Sequence, residues 1–374
     1  MNTISSELRR EEQAIFQLRG LYEQYGYKKY KMSKFEEYDL YQENKSFLPS
    51  QRVITFTDLG GKLLALKPDV TLSIAKNISA CPKEPEKVYY NENVYRTPRG
   101  SNEYKEIMQV GLEYLGEIDL YAQCEVLFLA LRSLQMLSER CVMVVSHMGF
   151  LSGLLEYCAL PHALEERVIS CIGHKNAHEL RRLFDEAGVS PEICETVTAL
   201  TSLYGGLDET IEKAALLVKN DKMADSLEQL SGIAQVLSAE AGDSLRLDFS
   251  VINDLTYYNG VIFQGFIDGV PNAVLSGGRY DNLMEKLGKD TSAMGFAVYA
   301  DELSRSGDSG QRFDADVLLL YDKGADVSKL MAAVKMLAAN GQRVRVQTVR
   351  SEKISYKQLL KLGDGGLEIL ETND

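Results

Sequence analysis

Gln109 and Glu113 are the first side chains whose types and spacing suggest chemistry. They lie four residues apart in a segment rich in strand-forming residues. Alternate strand residues project from the same face, so both side chains point the same way. An amide and a carboxylate on one face are typical of a wall that binds a small polar ligand. A solvated polar face is the alternative.

Tyr257 and Tyr258 form a second candidate wall. Taken alone, adjacent tyrosines are more typical of an ordinary strand than of a ligand site. Beside Gly260 and the run Gly277-Gly278-Arg279-Tyr280-Asp281, we favour the ligand wall. The paired glycines also fit a β-bulge or a close backbone approach. The arginine and the aspartate of the run also fit a structural ion pair, and these alternatives stay open.

Cys171, His174 and His178 raise the question of a metal, because histidines four residues apart can share an ion. No fourth ligand accompanies them, and Lys175 disfavours a cation. We therefore expect neither a metal nor a cofactor.

A basic run lies near the C-terminus. A solvated face is the favoured interpretation, and a vestigial RNA surface is the alternative. Its members are Arg343, Arg345, Arg350, Lys353, Lys357 and Lys361.

The elements that would position these residues follow from periodicity. Apolar residues at helical spacing predict a helix from Ser5 to about Tyr25, which Gly26 closes. Further along, the pattern predicts a hairpin, a helix with Pro68 in its first turn, a strand pair, a long helix and a buried strand. Their predicted spans are Val53–Asp58 with Leu63–Leu66, then Pro68–Ile78, Val88–Tyr95 with Tyr104–Leu115, Ile118–Glu139 and Met143–Ser146.

From about residue 151 to 241 the pattern is wholly helical, which predicts a helical insertion in a core that spans residues 1–303. Strand character returns at Leu245–Phe249, Tyr257–Phe266 and Ala273–Leu275. A linker at 304–311 precedes a strand–helix–strand unit within residues 312–374. Its elements are Asp316–Tyr321, Val327–Ala338 and Val344–Gln347.

Composition narrows the class of protein. A chain of 374 residues with 45% hydrophobic and 25% charged residues predicts two or three globular units. The net charge of -13 argues against nucleic-acid binding, since phosphate neutralisation needs a cationic surface. The cysteines are scattered, no signal peptide is evident, and no apolar run is long enough to span a bilayer. We expect a soluble cytoplasmic protein with protein or small-molecule partners.

Four segments, in family order, resemble the signatures of class II histidyl-tRNA synthetases. They are Leu66-Lys67-Pro68-Asp69-Val70-Thr71, the stretch from Val94-Tyr95-Arg96 to Gly116, Leu255-Thr256-Tyr257-Tyr258-Asn259-Gly260, and Ser276 to Leu283 followed by Gly295-Phe296-Ala297. The resemblance covers roughly residues 1–303. It implies an α+β fold in which helices flank a class II aminoacyl-tRNA synthetase-like antiparallel sheet, with a helical insertion. The small C-terminal α/β unit resembles a truncated anticodon-binding domain.

The resemblance also implies a histidine pocket. Asp69, Thr71 and Gln109 would face the ammonium end, and Glu113, Tyr257 and Tyr258 would receive the imidazole ring. Arg96 keeps an arginine of the family motif. The family has a glutamate at position 69, so the aspartate here is one methylene shorter.

Several charged positions of the family are lost. Pro98 stands in place of an acid, and an arginine is missing near Asn102 or Glu103. Asn253 and Glu302 stand where the family has arginines, and Thr256 replaces an aspartate. Fixed cations stabilise the charge that develops during adenylate formation, so we expect no adenylation and no enzymatic activity of the chain itself.

A synthetase-like chain with these losses and a short C-terminal unit resembles the regulatory subunits of short-form ATP phosphoribosyltransferase. The resemblance implies a homodimer that assembles with the short catalytic subunit in the first step of histidine biosynthesis. It also implies feedback by L-histidine, bound in the pocket or at the subunit interface, and it makes tRNA binding unlikely. An active histidyl-tRNA synthetase and an orphan histidine-binding paralogue are the alternatives.

Overall fold

The computed structural model describes residues 10–44, 53–79, 84–97, 103–253, 255, 257–303, 313–363 and 365–373. The described residues form two compact units, 10–303 and 313–373. The predicted linker at 304–311 lies outside them. Within the described parts, no helix is both long and apolar enough to cross a membrane.

The larger unit alternates helices and strands. Its helices are α1 (Arg10–Gln24), α2 (Tyr38–Glu43), α3 (Val70–Asn77), α4 (Leu120–Leu137), α5 (Met148–Cys158), α6 (His162–Gly173), α7 (Ala177–Ala187), α8 (Pro191–Leu200), α9 (Leu207–Ala215), α10 (Asp221–Ala241), α11 (Asp281–Lys286) and α12 (Ala300–Leu303). Its strands are β1 (Lys28–Lys29), β2 (Phe35–Glu37), β3 (Thr55–Thr57), β4 (Leu63–Leu66), β5 (Glu86–Arg96), β6 (Lys105–Gly116), β7 (Cys141–His147), β8 (Tyr204–Gly205), β9 (Leu245–Asp248), β10 (Val261–Ile267), β11 (Leu275–Arg279) and β12 (Ser292–Tyr299).

A nine-stranded sheet organises this unit, in the order β1-β5-β6-β12-β11-β10-β7-β9-β8. Its central pairings, from β5 across to β7, are antiparallel, whereas β1 with β5 and β7 with β9 are parallel. A separate three-stranded sheet has the order β2-β4-β3. The predicted α+β class with a large antiparallel sheet is therefore confirmed.

The insertion is helical from α5 to α10, and side-chain caps set several of its helix starts. Asn176, Ser190 and Asn220 each accept a backbone N–H from three residues ahead. The wholly helical prediction is wrong at one point, because the two-residue strand β8 pairs with β9. The first helix also begins earlier than predicted, since His147 Nδ1 accepts the Gly149 N–H at 3.1 Å and caps α5.

Three predicted boundaries near the paired glycines and Pro68 are wrong. The strand β10 begins at Val261, so the two tyrosines before it are not in a strand. The strand β11 contains the glycine pair rather than ending ahead of it. Pro68 precedes α3, because Asp69 takes the N-cap position.

The glycine pair marks a close backbone approach rather than a bulge, since β11 pairs with both neighbours in unbroken register. A Cβ on Gly277 would lie 2.3 Å from the carbonyl oxygen of Gly295. Side chains at these positions would force the strands apart.

The second unit is a four-stranded sheet of order β14-β13-β15-β16 with one helix. Its elements are β13 (Ala315–Tyr321), α13 (Val327–Ala339), β14 (Val344–Gln347), β15 (Tyr356–Gly363) and β16 (Gly366–Thr372). The first three match the predicted strand–helix–strand. The last two were not predicted, since their pattern mixes basic and apolar residues.

Acidic partners neutralise much of the basic run. Arg343 and Lys357 both pair with Asp316, at 3.1 and 3.0 Å. Arg350 and Lys361 pair with Glu371 and Asp322, at 2.8 and 3.0 Å. These contacts support the solvated face over an RNA surface, because three carboxylates offset most of the charge of the four paired cations.

Gly295 in β12 tests how tightly the centre of the sheet is packed. A Cβ there would lie 1.7 Å from Glu113 Oε2 and 2.4 Å from the Leu112 carbonyl oxygen. We expect Gly295→Ala to lower the free energy of unfolding by about 3 kcal/mol or more, because the backbone of the neighbouring strand cannot move aside for the new methyl group. Gly20→Ala in α1 is the matched control, with nothing within 4 Å. It should raise stability by about 0.5–1 kcal/mol through helix propensity. Chemical denaturation measures both, and equal stability of Gly295→Ala and wild type would contradict the close packing.

Candidate functional site

Glu113 lies at the centre of the candidate site, on β6 between β5 and β12. Its side chain is 1% exposed. Its Oε1 accepts a hydrogen bond from Thr71 Oγ1 at 2.7 Å, and its Oε2 accepts one from Tyr280 Oη at 2.6 Å. Gln109 on the same face is 5% exposed. The solvated-face alternative is therefore excluded, and both residues line the interior.

Burial controls the charge of Glu113. Loss of solvation raises the pKa of its carboxyl to about 8, although the bonds from Tyr280 and Thr71 oppose the rise. The charge of nearby Asp69 adds to it. At neutral pH the carboxyl is mostly protonated, so a cation or a ring N–H placed beside it would favour ionisation.

Asp69 and Thr71 enter the site from the start of α3. Asp69 is the N-cap, and its Oδ1 accepts the Leu72 N–H at 2.7 Å. Burial raises the pKa of Asp69, and the Leu72 N–H and the charge of Arg96 oppose this. The first turn of α3 thus already bonds to one oxygen of Asp69, the residue predicted to accept from a ligand's ammonium group.

Three tyrosines form the aromatic side of the site. The ring centroids of Tyr257 and Tyr258 are 4.5 Å apart, and those of Tyr257 and Tyr280 are 5.8 Å apart. Burial raises the pKa of all three phenols, so all stay neutral donors at physiological pH. A Cβ on Gly278 would lie 2.8 Å from Tyr258 Cδ1, so this glycine lets the ring lie against the sheet.

Arg279 and Asp281 form the structural ion pair that the sequence left open. Arg279 Nε donates to Asp281 Oδ2 at 2.7 Å, and Arg279 Nη1 donates to the Ile118 carbonyl at 3.2 Å. Asp281 Oδ1 accepts the Ala293 N–H at 3.1 Å. The pair ties β11 and α11 to β12 and supports the tyrosine between its members.

Lys67 lies in the first of the four family-like segments, but the sequence did not predict a role for it. Its side chain is fully buried, and its Nζ lies 3.0 Å from Glu92 Oε2. Glu92 stands opposite Gln109 in the β5–β6 register. Arg96 follows four residues after Glu92 on the same strand and is half-buried. A lysine between apolar residues, just before the start of a helix, was the sequence feature that could have indicated this pair.

Among the positions where the family has other charges, Glu103, Asn253 and Glu302 are described. Glu302 Oε2 accepts a hydrogen bond from Asn272 Nδ2 at 3.1 Å. Pro98, Asn102 and Thr256 lie outside the described residues.

The metal candidates do not converge on an ion site. His174 Nδ1 bonds to the Ser170 carbonyl oxygen at 2.7 Å. In the described parts of the chain, no three His, Cys, Asp or Glu side chains are grouped so that they could hold a metal ion.

Known proteins share this architecture. The histidyl-tRNA synthetase family matches residues 3–303. An ATP phosphoribosyltransferase regulatory subunit of Clostridium kluyveri is 30% identical over 323 residues, which cover 82% of this chain and 81% of that protein.

Two solved structures show the same fold. A protein of Bacillus halodurans, described as an ATP phosphoribosyltransferase regulatory subunit/histidyl-tRNA synthetase, has a TM-score of 0.77 at 24% identity and covers 94% of this chain and 93% of its own. A chain of the ATP phosphoribosyl transferase complex of Thermotoga maritima has a TM-score of 0.61 at 19% identity, covering 76% of this chain and 96% of its own. The chain therefore belongs to the ATP phosphoribosyltransferase regulatory subunits, a family built on the histidyl-tRNA synthetase fold.

Proposed function

We propose that this chain is a non-catalytic subunit that regulates a short-form ATP phosphoribosyltransferase, binds L-histidine in its synthetase-like pocket and does not form an adenylate. The observation that carries the proposal is the buried carboxyl of Glu113 with its hydroxyl donors and tyrosine wall. Family membership supports the regulatory role in histidine biosynthesis.

The pocket has the groups that an imidazole needs. A histidine ring offers one N–H donor and one acceptor nitrogen, and its faces pack against aromatic rings. Glu113 supplies an acceptor oxygen next to Tyr257 and Tyr258. When no ligand is bound, the carboxyl of Glu113 is mostly protonated, so the pocket does not hold an unpaired charge.

The charges at two positions of the chain support the loss of adenylation. Formation of an adenylate adds negative charge at the α-phosphate, and each fixed donor that stabilises it typically contributes about 3–4 kcal/mol. Asn253 is neutral and Glu302 is an acid, where the family has arginines. Two missing cations remove most of the stabilisation, and an acid adds repulsion.

The assembly is proposed from the family and from the Thermotoga maritima complex, whose chain shares the fold. The chain would form a homodimer, as the synthetase fold does, within a hetero-oligomer that contains the short catalytic subunit.

Adenylation is the first test. We expect histidine-dependent ATP–pyrophosphate exchange to be at least about 1000-fold slower than that of an authentic histidyl-tRNA synthetase assayed alongside, because two cations are missing. Exchange within tenfold of the authentic enzyme would reject the proposal in favour of an active synthetase.

Partnership is the second test. Co-expressed with a short-form ATP phosphoribosyltransferase, the chain should co-elute with it in size-exclusion chromatography. Formation of phosphoribosyl-ATP should require both proteins. An authentic histidyl-tRNA synthetase of the same fold is the control and should not co-elute. No complex at micromolar concentrations would favour an orphan histidine-binding protein.

Glu113→Gln separates the pocket from the fold. The folded protein keeps its proton up to a pKa of about 8, whereas the unfolded chain releases it near 4.5. Wild-type stability should therefore fall as pH rises between these values, and the glutamine variant should lack this fall. Histidine affinity should drop about 10- to 100-fold, since a charge-assisted hydrogen bond is lost.

Calorimetric titration and denaturation at pH 5, 7 and 8 measure the two effects. Gly20→Ala keeps the pocket unchanged and should bind histidine as wild type does. Unchanged affinity in Glu113→Gln would mean that histidine binds elsewhere.

A further inference from the structure

The end of the pocket that would receive an α-ammonium group contains two acids, and each is bonded within the protein. Asp69 Oδ1 accepts the Leu72 N–H at 2.7 Å as the cap of α3. Glu92 Oε2 lies 3.0 Å from Lys67 Nζ. One oxygen of each carboxylate therefore bonds to a donor of the protein itself.

Asp69 is short as well as occupied. The related synthetases have a glutamate at this position, whose extra methylene extends the carboxylate away from the backbone. An aspartate at an N-cap position is held close to the first turn, because its oxygen bonds to a backbone N–H three residues ahead. The side chain cannot extend further toward a ligand without giving up the cap, so only Oδ2, at its capped position, is left to accept from an ammonium group.

Glu92 is held more firmly still. Its partner Lys67 is fully buried, so removing the carboxylate from this pair would leave a buried ammonium without its counter-ion. Burial lowers the pKa of Lys67, and the bond to Glu92 counters this. A ligand's ammonium group would therefore compete with a cation that the fold itself needs.

The other two ends of a histidine molecule meet suitable groups. The ring end has Glu113 and the tyrosine wall. For the carboxylate there is Arg96, a half-buried cation on the face that also carries Glu92 and close enough to Asp69 and Tyr258 to affect the pKa of both. Gln109, the remaining predicted contact of the ammonium group, is a neutral amide.

Resting on the proposed function, we propose that the pocket recognises an imidazole and a carboxylate and makes little use of the α-ammonium group. Its ligand class is therefore imidazole carboxylates, of which histidine is one. Asp69, one methylene shorter than the family's glutamate, acts as a structural cap. Specificity then depends on the imidazole and the carboxylate of the ligand rather than on its amino group.

A ligand series tests this on the wild-type full-length chain by calorimetric titration. Imidazole-4-propionate, which lacks only the amino group, should bind within about threefold of histidine. Histamine, which lacks only the carboxylate, should bind at least about thirtyfold more weakly, the effect of a lost charge-assisted bond. Binding of imidazole-4-propionate more than thirtyfold weaker than histidine would overturn the inference.

Asp69→Asn tests the role of the cap directly. Asparagine caps helices as well as aspartate does but carries no charge, so histidine affinity and thermal stability should both stay within about threefold and a few degrees of wild type. If Asp69 bound the ammonium group, the variant would instead bind histidine about tenfold or more weakly and would bind imidazole-4-propionate as wild type does. That result would overturn the inference.

Glu113→Gln is the positive control and should weaken histidine and imidazole-4-propionate equally. If neither compound binds wild type at millimolar concentration, the proposed histidine pocket fails, and the inference that rests on it fails too. If histidine alone binds, the proposed function survives and only the inference fails.

Discussion

A single buried carboxyl, that of Glu113, sets most of the constraints in the core of the larger unit. Two hydroxyl groups bond to its oxygens, one from the start of α3 and one from the segment after β11. A glycine on β12 leaves the space that its carboxyl occupies. An ionisable group in the middle of a sheet costs stability unless it is neutral or paired. The carboxyl of Glu113 meets both conditions, since it is mostly protonated at neutral pH and accepts two hydroxyl bonds, so the fold tolerates it without a ligand.

The pairing of strands serves the same group. Glu113 stands opposite Val88 on one side and Gly295 on the other, and the glycine pair on β11 lets Tyr258 lie against the sheet. Small residues at these points bring aromatic rings and backbone close to the carboxyl. The resulting dry surroundings raise its pKa, and a buried acid with a strongly raised pKa is typical of functional sites.

The sequence predicted the large antiparallel sheet, the helical insertion and the residues that surround Glu113. The family resemblance implied the antiparallel sheet and the residues around Glu113. For the strands and the insertion the sequence itself was enough, because the long strands β5 and β6 and the capped helices carry their signals within a few residues. It did not predict that Tyr280 bonds to Glu113, which lies 167 residues away, or that Thr71 does so across 42 residues. Such bonds depend on register between distant strands, which periodicity does not encode.

The misplaced elements have the same cause. The strand β11 was predicted to stop before its glycines, since glycine is unfavourable in strands, yet close packing against β12 requires them. The strands β15 and β16 were missed because charged residues interrupt their apolar pattern. Lys67 looked like one more basic residue, and only the fold shows it buried against Glu92.

Ligand binding and adenylation place different demands on one pocket. Binding needs only groups that match the ground state of the ligand, such as Glu113 and the tyrosines. Catalysis needs further groups that act on charge developing in the transition state, which binding does not require. The family resemblance assigns residues 253 and 302 to the second set, and neither is a cation here. A fold can lose that set without disturbing the first, because the hydroxyl groups that bond to Glu113 come from Thr71 and Tyr280 and not from residues 253 or 302. Under the proposed function, that separation lets a synthetase-like pocket serve as a sensor.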